Sequence, residues 1–457
     1  MAEWLVEGRS QIDLRGADRH RYEHFQHAPA YVEARGAQNF IEVYDIIHPL
    51  QPMEPRPLRV SPFYLRQREQ DAFFLEASGW ERPHWFEANA ALLDGGRGEP
   101  SYGGHAIPGR DAWSARYWSP VVAAEHLATR DRVALYDMTS LAKLEVTGSG
   151  ALGFLDGLVT NRIDKPVGAV TYTAMCDETG GIRSDLTIAR LGDTHFQVGA
   201  NGPLDLDWLE RHRPRDGSVT IRTITGGTCS LGLWGPHARD VLAAVTGDDV
   251  SHAGFRFFTA KHLWVGEIPV TAMRLSYVGE LGWELYTSAE YGLRLWDLLW
   301  EAGRGHGILT GGRGAFNGMR IEKGYRSWGT DMWAEHTPYE AGLGFTVKLD
   351  KGPFVGRDAL TAARERGPRR RLACLTLDDP AALVMGSEPV FVEGTVAGFV
   401  TSAAHGYSVG ESIAYAWLPA GAAAEGTPAE ISYFGERHPA RVVAEPRFDP
   451  AMTRMRR

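Results

Sequence analysis

The sequence predicts an α+β fold that ends in a small β-barrel. Short alternating strands, such as residues 141–146 and 271–276, are interleaved with amphipathic helices such as residues 291–302. In that helix three leucines fall on one face, as a half-buried helix requires. After the basic loop 369–371, short strand-like segments are separated by Gly and Pro turns, which is typical of a small barrel.

Length and charge set the first limits on function. A chain of 457 residues exceeds what one core usually supports, so two or three structural units are expected. The net charge is 48 minus 57, or −9, without a long basic run, which argues against nucleic acid or a membrane as a partner. No stretch reaches the roughly 20 apolar residues of a membrane span, and the N-terminus lacks the regions of a signal peptide. The three cysteines are far apart, so no metal site is predicted and a reducing cytoplasm is the expected compartment.

The chain divides into three predicted regions. Residues 1–115 are rich in Pro, Trp, Arg and His with weak periodicity, and residues 79–86 within them read as a packed aromatic corner. Residues 95–109 hold six glycines and two prolines, which predicts a linker. We place the boundary there, so that residues 116–367 form the α+β region and residues 368–457 the barrel.

Residues 148–153 form a glycine motif that also occurs in dinucleotide-binding proteins. It fits G-x-G-x-x-G between a strand-like and a helix-like segment, but a dinucleotide fold also needs an acidic residue about 20 positions further on. Residues 171–174 contain no carboxylate. The motif therefore predicts a tight turn before a helix, and the chain is not expected to hold FAD or NAD by itself.

Residues 175–190 carry the most informative motif. Gly180 and Gly181 predict a tight turn, and the alternation after them predicts a strand on which Asp185 and Thr187 share one face. A carboxylate and a hydroxyl presented together are suited to handling a proton and orienting a polar ligand. From the residues alone, however, the favoured interpretation is that Asp185 caps the turn.

Two further motifs contain charged residues next to glycines and aromatics. In the first, Tyr277 begins a turn that Glu284 follows, and Glu280 is a competing carboxylate that spacing does not exclude. A strand with Glu284 on a solvated face explains this motif equally well. The second motif, at residues 319–326, has charges that normally indicate a solvated helix end.

Taken in order, these motifs resemble the aminomethyltransferase (glycine-cleavage T-protein) family. The resemblance is closer still to the folate-binding C-terminal half of dimethylglycine and sarcosine dehydrogenases, and it covers nearly the whole chain. It implies a T-protein-like, multi-domain folate-binding fold. Residues 1–115 resemble the closing part of a flavin oxidase half, and we expect the dinucleotide-binding fold that precedes that part to be missing. Further stretches that carry the resemblance are residues 117–120, 231–236 and 408–410.

The resemblance also implies roles for individual residues. Asp185 corresponds to the catalytic base near N10 of tetrahydrofolate, and Glu284 to the carboxylate that accepts two N–H groups of the pterin. Arg320 lies near the folate site, where it either holds an anionic ligand group or pairs with Asp185. The implied cofactor-binding residues are Thr187, Asn201, Tyr277, Glu284, Arg320 and Tyr325.

The activity implied by the resemblance is a tetrahydrofolate-dependent one-carbon transfer. An N-methylated amine or its iminium would be the small-molecule donor, and 5,10-methylenetetrahydrofolate the product. A separate flavoprotein subunit is the implied partner, because the chain is not expected to bind FAD. The alternatives are a tetrahydrofolate-dependent O- or S-demethylase and a non-catalytic subunit of a flavoprotein complex.

Overall fold

The computed structural model describes residues 5–6, 12–94 and 100–457, so the predicted linker residues 95–99 lie outside the described residues. In the described part the chain forms ten α-helices and 21 β-strands. The helices are α1 (Pro29–Glu42), α2 (Tyr64–Glu69), α3 (Val121–Asp131), α4 (Ala151–Leu158), α5 (Pro203–His212), α6 (Ala238–Val245), α7 (Gly292–Gly303), α8 (Arg313–Glu322), α9 (Arg357–Arg366) and α10 (Thr453–Arg456). The strands are β1 (Ala72–Ala77), β2 (Trp80–Phe86), β3 (Ser101–Tyr102), β4 (His105–Ala106), β5 (Ala134–Asp137), β6 (Ala142–Thr147), β7 (Val170–Cys176), β8 (Ile182–Gly192), β9 (His195–Ala200), β10 (Thr220–Thr223), β11 (Thr228–Trp234), β12 (Thr259–Val265), β13 (Ile268–Arg274), β14 (Gly282–Ser288), β15 (Leu309–Thr310), β16 (Arg370–Leu377), β17 (Pro389–Val392), β18 (Thr395–Gly406), β19 (Glu411–Pro419), β20 (Pro428–Tyr433) and β21 (Glu436–Val443). None of the helices in these ranges is long and apolar enough to cross a membrane.

Two sheets form the centre of the molecule. One has five antiparallel strands in the order β10-β6-β9-β8-β7, and its apolar side packs against α4 and α5. The other has six strands in the order β12-β13-β14-β11-β5-β15, and it packs against α6 and α7. All pairs in the second sheet are antiparallel except β5 with β15. The predicted strands and amphipathic helix overlap β6, β13 and α7, which confirms the predicted α+β fold.

The C-terminal strands close into a six-stranded barrel, as predicted. Their order is β16-β19-β18-β17-β20-β21, and β21 pairs back with β16. Small and branched side chains such as Val390, Val400, Ala416 and Ile431 fill its interior, as a narrow barrel requires. The barrel joins the centre of the molecule where β18 contacts α8.

Two glycine motifs form the predicted turns. Residues 148–150 turn between β6 and α4, and Gly180 turns between β7 and β8 with a φ of 81° that favours glycine. At Gly181 a β-carbon would lie 1.9 Å from the carbonyl oxygen of Ala334. Glycine is therefore needed there because another segment passes too close for any side chain.

The N-terminal region has two parts that differ in burial. Helix α1 contains no buried residue, whereas the chain from residue 61 onward packs against the central body. Phe63 lies in the core of the second sheet with its ring 5.7 Å from that of Trp296. The predicted aromatic corner is strand β2, which buries Trp80 and Trp85. The domain boundary near residue 115 remains a prediction.

Candidate functional site

A cavity of about 1160 Å³ lies between the two central sheets, α8 and the C-terminal segment. Strands of both sheets contribute side chains to the cavity wall, and α8 contributes residues from a third side. Every residue predicted for the site contributes to its wall. These residues are Asp185, Thr187, Asn201, Tyr277, Glu284, Arg320 and Tyr325.

Asp185 lies on β8 with its carboxylate held by two donors. Tyr172 donates to Oδ2 at 2.7 Å, and the Asn201 amide donates to Oδ1 at 2.9 Å. Burial raises the pKa of Asp185, and these two hydrogen bonds oppose the rise. A carboxylate with a raised pKa is a better proton acceptor near neutral pH. Thr187 follows two residues later on the same face, as predicted.

The turn between β7 and β8 is capped by a different carboxylate. The Oδ1 atom of Asp177 accepts the backbone N–H groups of Thr179 at 2.9 Å and of Gly181 at 3.0 Å. The capping role that the residues alone favoured for Asp185 therefore belongs to Asp177. Asp185 is left with its side chain on the cavity wall.

Asn201 is held in place by a buried carboxyl group, that of Asp205. The Asn201 amide donates to Ser184 Oγ at 2.9 Å as well as to Asp185, and Ser184 donates to Asp205 at 2.8 Å. Asp205 also accepts the backbone N–H of Asn201 at 2.8 Å, and burial raises the pKa of Asp205 to about 7. This network orients the amide of Asn201 with its N–H groups toward Asp185. Sequence reasoning missed both Asp205 and Tyr172, because neither belongs to a motif that names a ligand.

Glu284 lies on β14 at the cavity wall. The Tyr286 hydroxyl donates to its Oε2 atom, while Oε1 has no hydrogen-bond partner among the described residues. Burial raises the pKa of Glu284, and the hydrogen bond from Tyr286 and the positive charge of Lys143 oppose the rise. Glu284 thus retains capacity to accept hydrogen bonds from a ligand.

The competing carboxylate, Glu280, has a different environment. It is fully buried and forms ion pairs with Arg130 at 3.2 Å and with Arg454 at 2.7 Å. It does not line the cavity. The structure therefore separates two carboxylates that spacing in the sequence left equivalent.

An aromatic wall runs along one side of the cavity. The rings of Tyr277 and Tyr325 are stacked with their centroids 5.7 Å apart, and the rings of Tyr277 and Phe316 are stacked at 5.2 Å. The Tyr277 hydroxyl donates to the carbonyl oxygen of Arg326. Such a wall offers a flat, apolar surface to a planar ligand ring.

Arg320 is paired, but not with Asp185. Its Nη1 atom donates to Asp331 at 2.6 Å, and its Nη2 atom donates to Ser402 of β18 at 2.8 Å. Asp185 is not among its partners, so the interpretation that these two residues pair is wrong. Arg320 connects α8 to the barrel, and Asp331 already compensates its charge.

Two basic residues on the cavity wall were missed by sequence reasoning. Lys143 is buried, with its ammonium group bonded to the carbonyl oxygens of Thr139 at 2.8 Å and Leu141 at 2.7 Å. Burial lowers the pKa of Lys143 to about 8. Arg313, the first residue of α8, also lines the cavity. Neither residue stands in a motif with a recognisable spacing.

Comparison with known protein families agrees with the architecture. Residues 63–351 match the GCVT N-terminal domain, and residues 370–449 match the glycine cleavage T-protein C-terminal barrel domain. Residues 7–61 match the FAD dependent oxidoreductase central domain.

Some relatives align with nearly the whole chain, and others align with about three quarters of it. Human mitochondrial dimethylglycine dehydrogenase is 34% identical over 453 residues, which is 98% of this chain and 50% of that protein. The chain thus spans about half the length of this relative. An aminomethyltransferase of Geobacillus thermodenitrificans is 35% identical over 336 residues, 72% of this chain and 91% of that protein. The crystal structure of the glycine cleavage system aminomethyltransferase T from Bartonella henselae has the same fold, with a TM-score of 0.71 at 22% identity over 86% of this chain and 98% of that one. The chain therefore belongs to the aminomethyltransferase (glycine-cleavage T-protein) family.

Proposed function

We propose that the chain is a tetrahydrofolate-dependent one-carbon transferase. Its donor is an N-methylated amine or the corresponding iminium, and its product is 5,10-methylenetetrahydrofolate. The observation that supports this most is the meeting of Asp185, Glu284 and the aromatic wall in one cavity of a T-protein fold. The cavity volume of about 1160 Å³ leaves room for a reduced folate and a small donor together.

The cavity wall fits the polar edge of a pterin. That edge presents a ring N–H next to an exocyclic amine, and a carboxylate accepts such a pair in a bidentate arrangement. Glu284 has an oxygen without a partner, and each carboxylate oxygen has more than one acceptor position. Tyr277 and Tyr325 supply the flat surface on which the ring would lie.

Asp185 is the group that we assign to proton transfer. Tetrahydrofolate supplies two nucleophilic nitrogens, N5 and N10, and a proton must leave N10 when the carbon unit bridges them. Asp185 accepts that proton, for which its raised pKa is suited. Thr187 orients the pterin or Asp185, and Asn201 holds the carboxylate in place through its amide. Positioning of donor and acceptor together supplies much of the rate, about 7–11 kcal/mol in intramolecular systems.

We further propose that a separate flavoprotein supplies the oxidised amine. The match of residues 7–61 to the central domain of an FAD dependent oxidoreductase supports this proposal. So does the similarity to dimethylglycine dehydrogenase, whose name describes oxidation of an N-methylated amino acid.

A titration with tetrahydrofolate, followed by a donor screen, tests the proposal. We expect binding by the chain alone, and formation of 5,10-methylenetetrahydrofolate from N-methylated amines when a flavoprotein is added. The product is measured by coupling to its NADP-dependent oxidation. Formation of 5-methyltetrahydrofolate from an O-methyl or S-methyl donor would identify a demethylase instead, and failure to bind tetrahydrofolate would contradict the proposal.

A further inference from the structure

Arg313 differs from the other half-buried or buried arginines of the cavity wall. Its guanidinium has neither an ion pair nor a hydrogen bond within the described part of the chain, and it lies over the ring of Phe316, 4.8 Å from the ring centre. Burial lowers the pKa of Arg313, because the charged form has lost part of its hydration. The side chain is half-buried, so a guanidinium with reduced hydration and no compensating partner is left available to an anionic ligand.

The other cavity arginines are either compensated or solvated. Arg320 is paired with Asp331, and Arg326 forms two hydrogen bonds with Glu445 at 2.6 and 2.7 Å. Arg256 and Arg456 are exposed at the surface.

The groups that face Arg313 are basic or aromatic. On the neighbouring strand β2, burial and the charge of Arg313 lower the pKa of Arg82 to about 9 and that of His84 to about 4. Tyr277 interacts electrostatically with both Arg313 and Asp185. Arg313 and the candidate base Asp185 therefore face the same part of the cavity. Arg320 on α8 also lowers the pKa of Arg313, although its own charge is paired with Asp331. Among the cavity arginines, Arg313 is thus the half-buried charge without a compensating partner in the described part of the chain, which favours an anionic ligand group beside it.

We propose that Arg313 binds a carboxylate group of a ligand inside the cavity. A guanidinium presents two parallel N–H groups that match a carboxylate, and the open cavity beside Arg313 gives a ligand access to them. The inference rests on the proposed function and narrows its substrate class. The carboxylate belongs either to the donor, which is then an N-methylated amino acid rather than a neutral amine, or to the glutamate of the folate.

Two pairs of probes separate these sources in binding titrations. The first pair is N-methylglycine and N-methylglycinamide, which differ in the carboxylate of the donor. The second pair is tetrahydrofolate and its diamide, in which amides replace both carboxylates of the glutamate. The variants are Arg313→Gln, which removes the charge, and Arg313→Lys, which keeps the charge without the bidentate geometry.

Arg110→Gln is a matched control. Arg110 is also half-buried and lies over an aromatic ring, that of Trp118 at 4.7 Å, and burial lowers its pKa too. It does not line the cavity. Thermal unfolding of all three variants shows whether each remains folded.

We expect the original chain to bind the carboxylate member of one pair at least 10-fold more tightly than the other member. Arg313→Gln should abolish this preference, Arg313→Lys should retain part of it, and Arg110→Gln should leave it unchanged. The pair that responds identifies the source of the carboxylate. If both preferences stay within twofold in folded Arg313→Gln, the inference is overturned. Absence of tetrahydrofolate binding by the original chain would instead overturn the proposed function, and the donor pair would still report on Arg313.

Discussion

Asp185 receives hydrogen bonds from Tyr172 and Asn201 while burial disfavours its ionised form. These influences act on its pKa in opposite directions, and burial is the larger of them. Because the two donors fix the carboxylate, its basicity can be changed without moving it. Single-residue variants can therefore separate proton transfer from ligand binding.

The first prediction concerns Asp185→Asn. The amide keeps the shape of the side chain but cannot accept the proton, so turnover should fall by about 100-fold or more. Tetrahydrofolate affinity should stay within a few-fold, as measured by titration calorimetry beside steady-state kinetics. Unchanged turnover would remove Asp185 from the mechanism.

The second prediction concerns Tyr172→Phe. Loss of the hydrogen bond that stabilises the ionised carboxylate should raise the pKa of Asp185 further. Since the ionised form is the active one, activity is lost as the pH falls through this pKa. The acidic limb of the pH profile of kcat/KM should therefore move to higher pH, and a limb that does not move would contradict the assignment of Asp185 as the base.

The third prediction compares two carboxylates. Loss of a charge-assisted contact costs about 1.5–3 kcal/mol, so Glu284→Gln should weaken tetrahydrofolate binding by roughly 10-fold or more. Glu280→Gln should lower the thermal stability and leave affinity nearly unchanged, because Glu280 pairs with Arg130 and Arg454 away from the cavity. The reverse pattern would show that the pterin assignment is wrong.

At the scale of elements, the turn between β7 and β8 determines where Asp185 lies. The turn is tight against the segment that contains Ala334, whose carbonyl oxygen leaves no room for a β-carbon at Gly181. The strand that carries Asp185 begins at Ile182, directly after this contact. A displacement of the turn is therefore passed to the candidate catalytic residue.

The fourth prediction is that Gly181→Ala lowers both thermal stability and turnover. The added methyl group would lie 1.9 Å from the Ala334 oxygen, so the backbone must shift. Gly157→Ala in α4 is the control, because nothing lies within 4 Å of the new carbon. That change should leave stability equal or raise it by about 0.5–1 kcal/mol, since alanine is the better helix former. Equal stability of the two variants would contradict this account.

At the scale of the whole molecule, the N-terminal region presents an uncovered apolar surface. Large apolar side chains are exposed in and just after α1, and contiguous surfaces of this kind mark interaction sites. Examples are Phe40, Ile41, Val43, Tyr44 and Ile46. Residues 7–61, which include this surface, match the central domain of an FAD dependent oxidoreductase. From residue 61 onward the chain packs into the central core, so the candidate interface covers only part of the N-terminal region 1–115.

The fifth prediction is that this surface binds a separate flavoprotein or a second copy of the chain. Light scattering of the purified protein, alone and co-expressed with a flavoprotein, should detect a complex. The double variant Ile41→Asp and Ile46→Asp should dissociate it, whereas Val167→Asp, an exposed apolar position in the central region, should not. A monomer under both conditions would contradict the prediction.

Helix α1 was not predicted from the sequence, and its lack of buried residues is the physical reason. None of its residues is buried, so the helix has no face packed into a core that would have drawn attention to it in the sequence. The barrel and the turn at Gly180 were predicted, because turn chemistry and alternation are local properties of the chain. The common face of Asp185 and Thr187 follows from strand geometry alone.

The sequence by itself thus determined the α+β class, the C-terminal barrel, the family and, through the family resemblance, seven of the residues that line the cavity. Only the tertiary structure decided which carboxylate faces the cavity, that Asp331 compensates Arg320, and that Arg313 is left unpaired. Ion-pair partners and loss of hydration depend on which segments pack together, and these segments are distant in sequence: Arg320 bonds to Ser402, 82 residues away. Local patterns contain no information about such contacts, and for this reason the charge state of the site could not be inferred before the fold was known.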